Sequence, residues 1–350
     1  MTAQDRPARR LLPLAAPAAG LLLLLALPAL LGAIDQGFLV GTATRILIYG
    51  IAATSLNFLL GYGGMVSLGH AAYLGIGAYV TGILSVNLFE DATLLGLGGS
   101  NLALVAWPAS MLVAGIFALA IGALSLRTKG IYFIMITLAF AQMVYYLAVS
   151  LERYGGDDGF MMIDGRSRLP GLDLAGHVPF YFAVLALFLL AAWGFHRATG
   201  SRFGIVLQGC RENEPRMRAL GCPTYRYKLA AFVIAGAVTG LAGALLANLA
   251  EYVSPDYMHW TQSGDLLVMV ILGGVGTALG PLLGVAAFFL IEAFLPGLLH
   301  LAGLPDLAEH WRVLFGPFLV LVVLFSRGGI LGGLRRLPDL LPSGRRDARG

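Results

Sequence analysis

Charge is scarce in this chain. Asp, Glu, Lys and Arg make up 12% of its 350 residues, about half of the roughly 25% found in soluble domains. The A, V, I, L, M, F, W, Y and C residues reach 58%. Such a chain cannot cover its own surface in water, so two soluble domains are excluded despite a suitable length. Cysteine is nearly absent. Cys210 and Cys222 fit no metal spacing, and a disulfide scaffold is excluded at this length. There is no polar low-complexity tract and the 47 glycines follow no Gly-X-Y period, which excludes disorder and collagen. A net charge of +4, scattered along the chain, does not make a nucleic-acid groove. Phosphate-cradle and H-E-x-x-H motifs are also missing; neither Lys129 nor Lys228 sits in a G-x-x-x-x-G-K-[S/T] context.

What the chain has is apolar length. Stretches able to cross about 30 Å of hydrocarbon recur at 11–33, 38–60, 71–86, 102–126, 131–151, 178–196, 229–250, 265–276, 281–299 and 311–326. Backbone amides have no water partners in lipid, and the alternation of a membrane barrel is absent, so the expected fold is all-α. It is a polytopic membrane bundle of about eight to ten transmembrane helices, two of them short. The first stretch follows Arg6, Arg9 and Arg10 but is too long and lacks a cleavage site for a signal peptide, so an uncleaved helix is expected.

With a cytoplasmic N-terminus, 18 of the 23 basic residues fall inside, as the positive-inside rule requires. Both termini are then cytoplasmic. Seven of those basic residues lie between Arg197 and Lys228. Arg45 and Glu292 are ionisable groups within spans. Arg45 is a few residues into its span and can snorkel to the outer interface, while Glu292 lies in the outward half of its own; both read as structural.

Four places depart from a plain bundle. The run from Asn57 to Tyr79 gathers Gly61, Gly63, Gly64, Gly69, Gly75 and Gly77 around Asn57, Ser67 and His70, without a formal charge. It reads as a broken or re-entrant helix at membrane depth, or as close packing through small residues. His70 there reads as a hydrogen-bonded interior side chain rather than a proton carrier or ligand. A second charge-free run, Gly273 to Gly284, includes Gly274; Gly276, Gly280 and Gly284 form successive G-x-x-x-G steps expected on one helix face. Gly236, Gly240, Gly243 and Ala247 give the seventh span a similar small-residue face. The third is the loop 197–228. There Arg211, Glu212, Asn213 and Glu214 precede Pro215, and a helical turn stops at Gly221, so a short surface helix is expected as a docking lever. The fourth is the outer loop 152–177, whose turn signals Gly155, Gly156 and Gly159 flank Asp157 and Asp158; it reads as a gate, a docking surface or a solvated turn.

At these runs the sequence resembles the inner-membrane permeases of branched-chain amino-acid ABC importers. The residues that carry the resemblance are the Asn57 to Tyr79 run, Leu126 to Tyr132 leading into Thr137 to Phe140, Arg211 to Glu214, Lys228 to Phe232 and Gly273 to Gly284. The resemblance implies a permease domain over 11–326 between a cytoplasmic N-terminus, 1–10, and a basic tail, 327–350. It implies no cofactor, metal or catalytic residue of its own. The partners implied are a paralogous permease subunit forming a heterodimer, two cytoplasmic ATPases that hydrolyse the ATP, and a periplasmic binding protein. Glu212, Glu214, Ala219 and Gly221 match the coupling helix that meets the ATPase, although Arg216 and Met217 replace two alanines of that pattern. By the same resemblance Asn57, Gly63, Gly64, Ser67, Gly69, His70, Gly273, Gly274, Gly276 and Gly280 line the translocation pathway. Gly155, Gly156, Asp157, Asp158 and Gly159 match the periplasmic docking turn. The alternatives are a urea or short-amide importer permease and a channel that needs no ATP. Ser67 with His70 lacks the oxyanion donor and orienting group an intramembrane enzyme would need.

Overall fold

Apolar runs of this length satisfy their backbone amides internally only as helices, and a computed structural model of the chain shows ten of them among the described residues. The structure describes residues 20–30, 38–89, 93–94, 97–163, 165–171 and 173–301, with isolated positions beyond. The helices are α1 (Gly20–Leu30), α2 (Phe38–Asn57), α3 (His70–Phe89), α4 (Ala103–Ser125), α5 (Ile131–Val149), α6 (His177–Thr199), α7 (Arg202–Ala219), α8 (Thr224–Ala250), α9 (Trp260–Gly273) and α10 (Gly280–Leu301). Two short antiparallel ribbons accompany them: β1 (Thr93–Leu94) with β2 (Leu97–Gly98), and β3 (Phe160–Met161) with β4 (Tyr252–Val253).

Among the described residues seven helices are long and apolar enough to cross a membrane: α2, α3, α4, α5, α6, α8 and α10. The chain is a multi-pass membrane protein. The expected crossing at 265–276 is corrected. α9 has 14 residues, about 21 Å at 1.5 Å per residue, which falls short of the hydrocarbon thickness. Most of the expected span 311–326, the termini 1–10 and most of 327–350 lie outside the described residues, as do the flanks of the span 11–33.

Burial divides the helices by role. In α8, 67% of the apolar window is buried, against 22% in α5 and in α10, so α8 is central and the latter two present apolar faces outward. α8 lies between α3 and α4. Gly240 backs onto Ala114 and the Ser110 carbonyl of α4, the Gly240 carbonyl lies against Gly77 of α3, and Gly243 backs onto the Leu74 carbonyl. Polar side chains add to this seam, with Thr81 Oγ1 2.9 Å from Ser110 Oγ, which itself donates to the Gly77 carbonyl at 3.0 Å. The small-residue face expected on the seventh span is thus where three backbones converge. A second core joins α2, α6, α9 and α10 through Leu47, Ile51, Val184, Phe188, Val270 and Val285.

Candidate functional site

The two charge-free glycine runs meet. Past Asn57, α2 widens into a π-helical turn, Phe58–Tyr62, and residues 64–69 are not helical until α3 begins at His70. Asn57 Nδ2 donates to the Thr277 carbonyl at 2.9 Å, and its Oδ1 accepts from the Gly276 amide at 2.7 Å. A Cβ on Gly61 would lie 2.5 Å from the Gly276 nitrogen, so only glycine fits that contact. One amide side chain therefore ties the break after α2 to the turn between α9 and α10.

That turn corrects the expected G-x-x-x-G face. Gly274 and Gly276 have φ of +118° and +77°, which places them outside any helix; only Gly280 and Gly284 belong to α10. The four-residue spacing is real, but the chain reverses inside it. Gly273 lies against the Gly280 carbonyl, and Gly284 against the Met269 carbonyl, which welds α9 to α10.

Ser67, Gly69 and His70 turn the other way, toward α5, α8 and α9. Buried Ser67 Oγ accepts from the Gly69 amide at 3.2 Å, and Gly69 backs onto the Thr137 carbonyl of α5. His70 is fully buried: its Nε2 is 2.9 Å from Ser55 Oγ and 2.8 Å from Thr239 Oγ1, and the two hydroxyls are 2.6 Å apart. Its Nδ1 has no partner among the described residues. Among the described residues no group of three or more His, Cys, Asp and Glu side chains could hold a metal.

Beside the break sits the loop helix. α7 is helical on both sides of a kink at Asn213, where φ is −154° and ψ is 91°. Asn213 Oδ1 accepts from the Arg216 amide at 3.0 Å, an N-cap that starts a second short helix, with Pro215 in its first turn. Gly221, at φ +81°, ends it. The first segment reaches the glycine run directly. Arg211 donates to the Gly61 carbonyl, and its stem packs on Gly64. A cavity of about 330 Å³ between the two is lined by Gly63, Gly64, Lys129, Arg211, Glu214 and Lys228.

Glu214 points inward. Its carboxylate lies 3.1 Å from Lys129, 2.5 Å from Arg218 and 2.9 Å from Lys228, and it accepts from Thr224 Oγ1 at 3.3 Å. The chain contains two lysines, and both are here. Partial burial works to raise the Glu214 pKa, but hydrogen bonds from Lys228, Lys129 and Arg218 outweigh it and hold the pKa down at about 2. The carboxylate therefore pins the short helix to the α4–α5 turn and to the first turns of α8. Glu212, Ala219 and Gly221 are outside this cluster and exposed, and Leu220 is 71% exposed at the helix end.

The remaining expected site residues are at the opposite end of the bundle. Gly155, Gly156 and Gly159 all have positive φ, and Asp157 and Asp158 project outward between them. The turn is anchored on both sides. Tyr154 Oη donates to Asn87 Oδ1 at 3.3 Å, and Phe160 pairs with Val253 in the β3–β4 ribbon. Arg166, which residue patterns did not single out, is buried there. It donates to the carbonyls of Asn248 and Ala175, each at 3.2 Å, and contacts His177 Nδ1 at 3.1 Å. It also lies 3.3 Å from the Glu251 carboxylate and packs on the Phe180 ring. The lysine scarcity was a usable signal for the Glu214 cluster; nothing local in the outer loop distinguishes Arg166 from Arg168.

Against known proteins, the model of the family described as the permease component of branched-chain amino acid transport systems matches residues 38–324. The high-affinity branched-chain amino acid transport system permease protein LivM of Escherichia coli K12 is 29% identical over 319 residues, covering 83% of this chain and 69% of that protein. The permease protein BraD of the corresponding Pseudomonas aeruginosa system is 24% identical over 299 residues, covering 81% of this chain and 91% of its own. No solved structure matches significantly.

Proposed function

The chain belongs to the branched-chain amino acid transport permease family, and we propose that it is one membrane subunit of an ATP-driven importer of branched-chain amino acids. Its partners are a related permease subunit, two ATP-binding subunits and a periplasmic binding protein. It lies in the inner membrane with both termini and the loop 197–228 in the cytoplasm. ATP is hydrolysed on the partner subunits, and this chain converts their closure into alternating access by rigid-body movement of its helices.

The observation that carries this reading is the short helix from Asn213 to Ala219, held from behind by Glu214. A lever must be exposed on one face and rigidly joined to the moving body on the other. Here Arg216, Ala219 and Leu220 are exposed, while Glu214 fastens the helix to Lys129 and Lys228. Arg211 then links the lever to the Gly61 carbonyl, and Asn57 links that break to the turn at Gly276 and Thr277. In this role Asn57, Gly63, Gly64, Ser67, Gly69, His70, Gly273, Gly274, Gly276 and Gly280 border the pathway that opens and closes. Gly155, Gly156, Asp157, Asp158 and Gly159 receive the binding protein. Within the expected coupling set, Glu214 works as the anchor, while Glu212, Ala219 and Gly221 sit on the surface offered to the ATPase.

The test is co-expression with the neighbouring transporter components, followed by purification and leucine uptake into proteoliposomes. The expected result is recovery with an ATP-binding subunit and uptake that requires ATP and binding protein. A stable homo-oligomer that carries flux without ATP contradicts the reading. ATPase stimulation by urea and not by leucine contradicts the substrate class.

A further inference from the structure

At the Arg166 end of the bundle, a cavity of about 630 Å³ opens among Arg45, Tyr49, Arg166, Leu246, Leu249 and Tyr257. Its size falls in the range of small-molecule sites, roughly 300 to 1,000 Å³. The two arginines in its wall are in different states. Arg166 is buried and its donors are taken up by Asn248, Ala175, His177 and Glu251. Arg45 is exposed, with its guanidinium 4.7 Å from the Phe289 ring centre and 5.7 Å from that of Tyr49. Among the described residues no carboxylate is within ion-pair distance of Arg45. Glu251 offsets Arg166, and among the described residues no acidic side chain lines the cavity, so Arg45 is the cation of its wall that has no ion pair there. Arg45 sits near the outer end of α2, where its guanidinium is exposed at the cavity and open to a ligand. Glu292, the other intramembrane ionisable residue, does not line the cavity.

We propose that this cavity receives an apolar amino acid, with the Arg45 guanidinium taking its α-carboxylate and Leu246 and Leu249 packing on its side chain. The inference rests on the importer reading and assigns the carboxylate contact to a residue outside both glycine runs. A planar guanidinium matches a carboxylate through two parallel N–H···O bonds, and the ring faces beneath it hold the fork in place without neutralising it. The apolar wall suits an aliphatic side chain. The site lies at the end of the bundle that carries the Gly155 to Gly159 turn, where a substrate is handed over.

The experiment measures binding of labelled L-leucine to the detergent-purified complex of the permease and ATP-binding subunits, without the periplasmic binding protein, with unlabelled leucine and leucinamide as competitors. Leucinamide keeps the side chain and ammonium but has no carboxylate. The unsubstituted transporter is expected to prefer leucine to leucinamide at least tenfold. In Arg45→Gln that preference disappears and leucine binding falls by about tenfold, whereas Arg45→Lys loses less because it keeps a point charge. Leu249→Trp, which fills the cavity and leaves its charge alone, is expected to weaken leucine binding while the subunits still co-purify. Unchanged leucine preference in Arg45→Gln overturns the proposal and leaves the importer reading intact. So does a phospholipid that co-purifies with the unsubstituted protein and is lost from Arg45→Gln while leucine binding persists, since the cation then serves a lipid headgroup. Absence of leucine uptake by the unsubstituted transporter removes the importer reading, and this proposal with it.

Discussion

At one end of the bundle a single carboxylate, Glu214, is shared by Lys129, Arg218 and Lys228; at the other, Arg166 meets one carboxylate, Glu251, and Arg45 meets none among the described residues. The first arrangement is closed. Three cations enclose the Glu214 carboxylate, and the effect is to fix one short helix against the bases of α5 and α8. The second is open: Arg45, exposed beside the Phe289 and Tyr49 rings, lines a cavity of about 630 Å³. On the proposed function, the first is the mechanical end of the bundle and the second its receptive end.

The largest expected effect comes from reversing the closed cluster. Glu214→Lys places a fourth cation among three, with Lys228 mostly buried beside it, and should cost about 3 kcal/mol, read as a lower unfolding midpoint of the purified protein. The same cluster fixes a pH response. Because the folded pKa is depressed to about 2, its stabilisation is fully present above the ordinary carboxylate value. It is lost only as pH falls from about 4.5 toward 2. Thermal unfolding of the Glu214→Gln variant relative to the parent should therefore show a constant gap from pH 7 to 5, shrinking only below it.

Smaller effects are expected where the two glycine runs touch. Gly61→Ala forces a methyl onto the Gly276 backbone and should cost about 2 kcal/mol. Asn57→Ala removes two hydrogen bonds to the same turn and should cost roughly 1 to 2 kcal/mol, with faster cysteine labelling at position 277 as a second readout. Least is expected of Leu220→Ser. Leu220 is exposed, so stability should move by no more than about 0.5 kcal/mol, while co-purification with the ATP-binding subunit weakens. A Leu220→Ser variant that lost as much stability as Glu214→Lys would erase the distinction between the two faces of the lever.

Much of this organisation is readable along the chain, and the exceptions share a cause. Apolar length identified the seven long helices, and Asn213, Pro215 and Gly221 marked the lever, because caps and stops act within a few residues. The kink that joins it to the first half of α7 is equally local, but apolar residues 204–209 carried no sign of helix against the glycines beside them. Gly276 misled for a different reason: four-residue spacing is the same in a helix and in a turn that precedes one, and only the sign of φ separates them. The direction of Glu214 depends on Lys129, 85 positions earlier, and on Lys228, and so on how α5 and α8 pack. Arg166 is buried by the end of α8, and Arg45 faces a cavity made by four separate segments. Neither environment leaves a trace in the neighbouring residues, which explains why Arg45 reads as a snorkelling side chain from its span alone.

On the proposed function, Glu214 is the anchor through which ATPase movement reaches the bundle. ATP-dependent leucine uptake into proteoliposomes, measured for the complete transporter with Glu214 and with Glu214→Gln, tests it most directly. The variant is expected to insert and assemble with its partners while uptake per ATP hydrolysed falls at least tenfold. Unchanged uptake at an unchanged ATP ratio would contradict it.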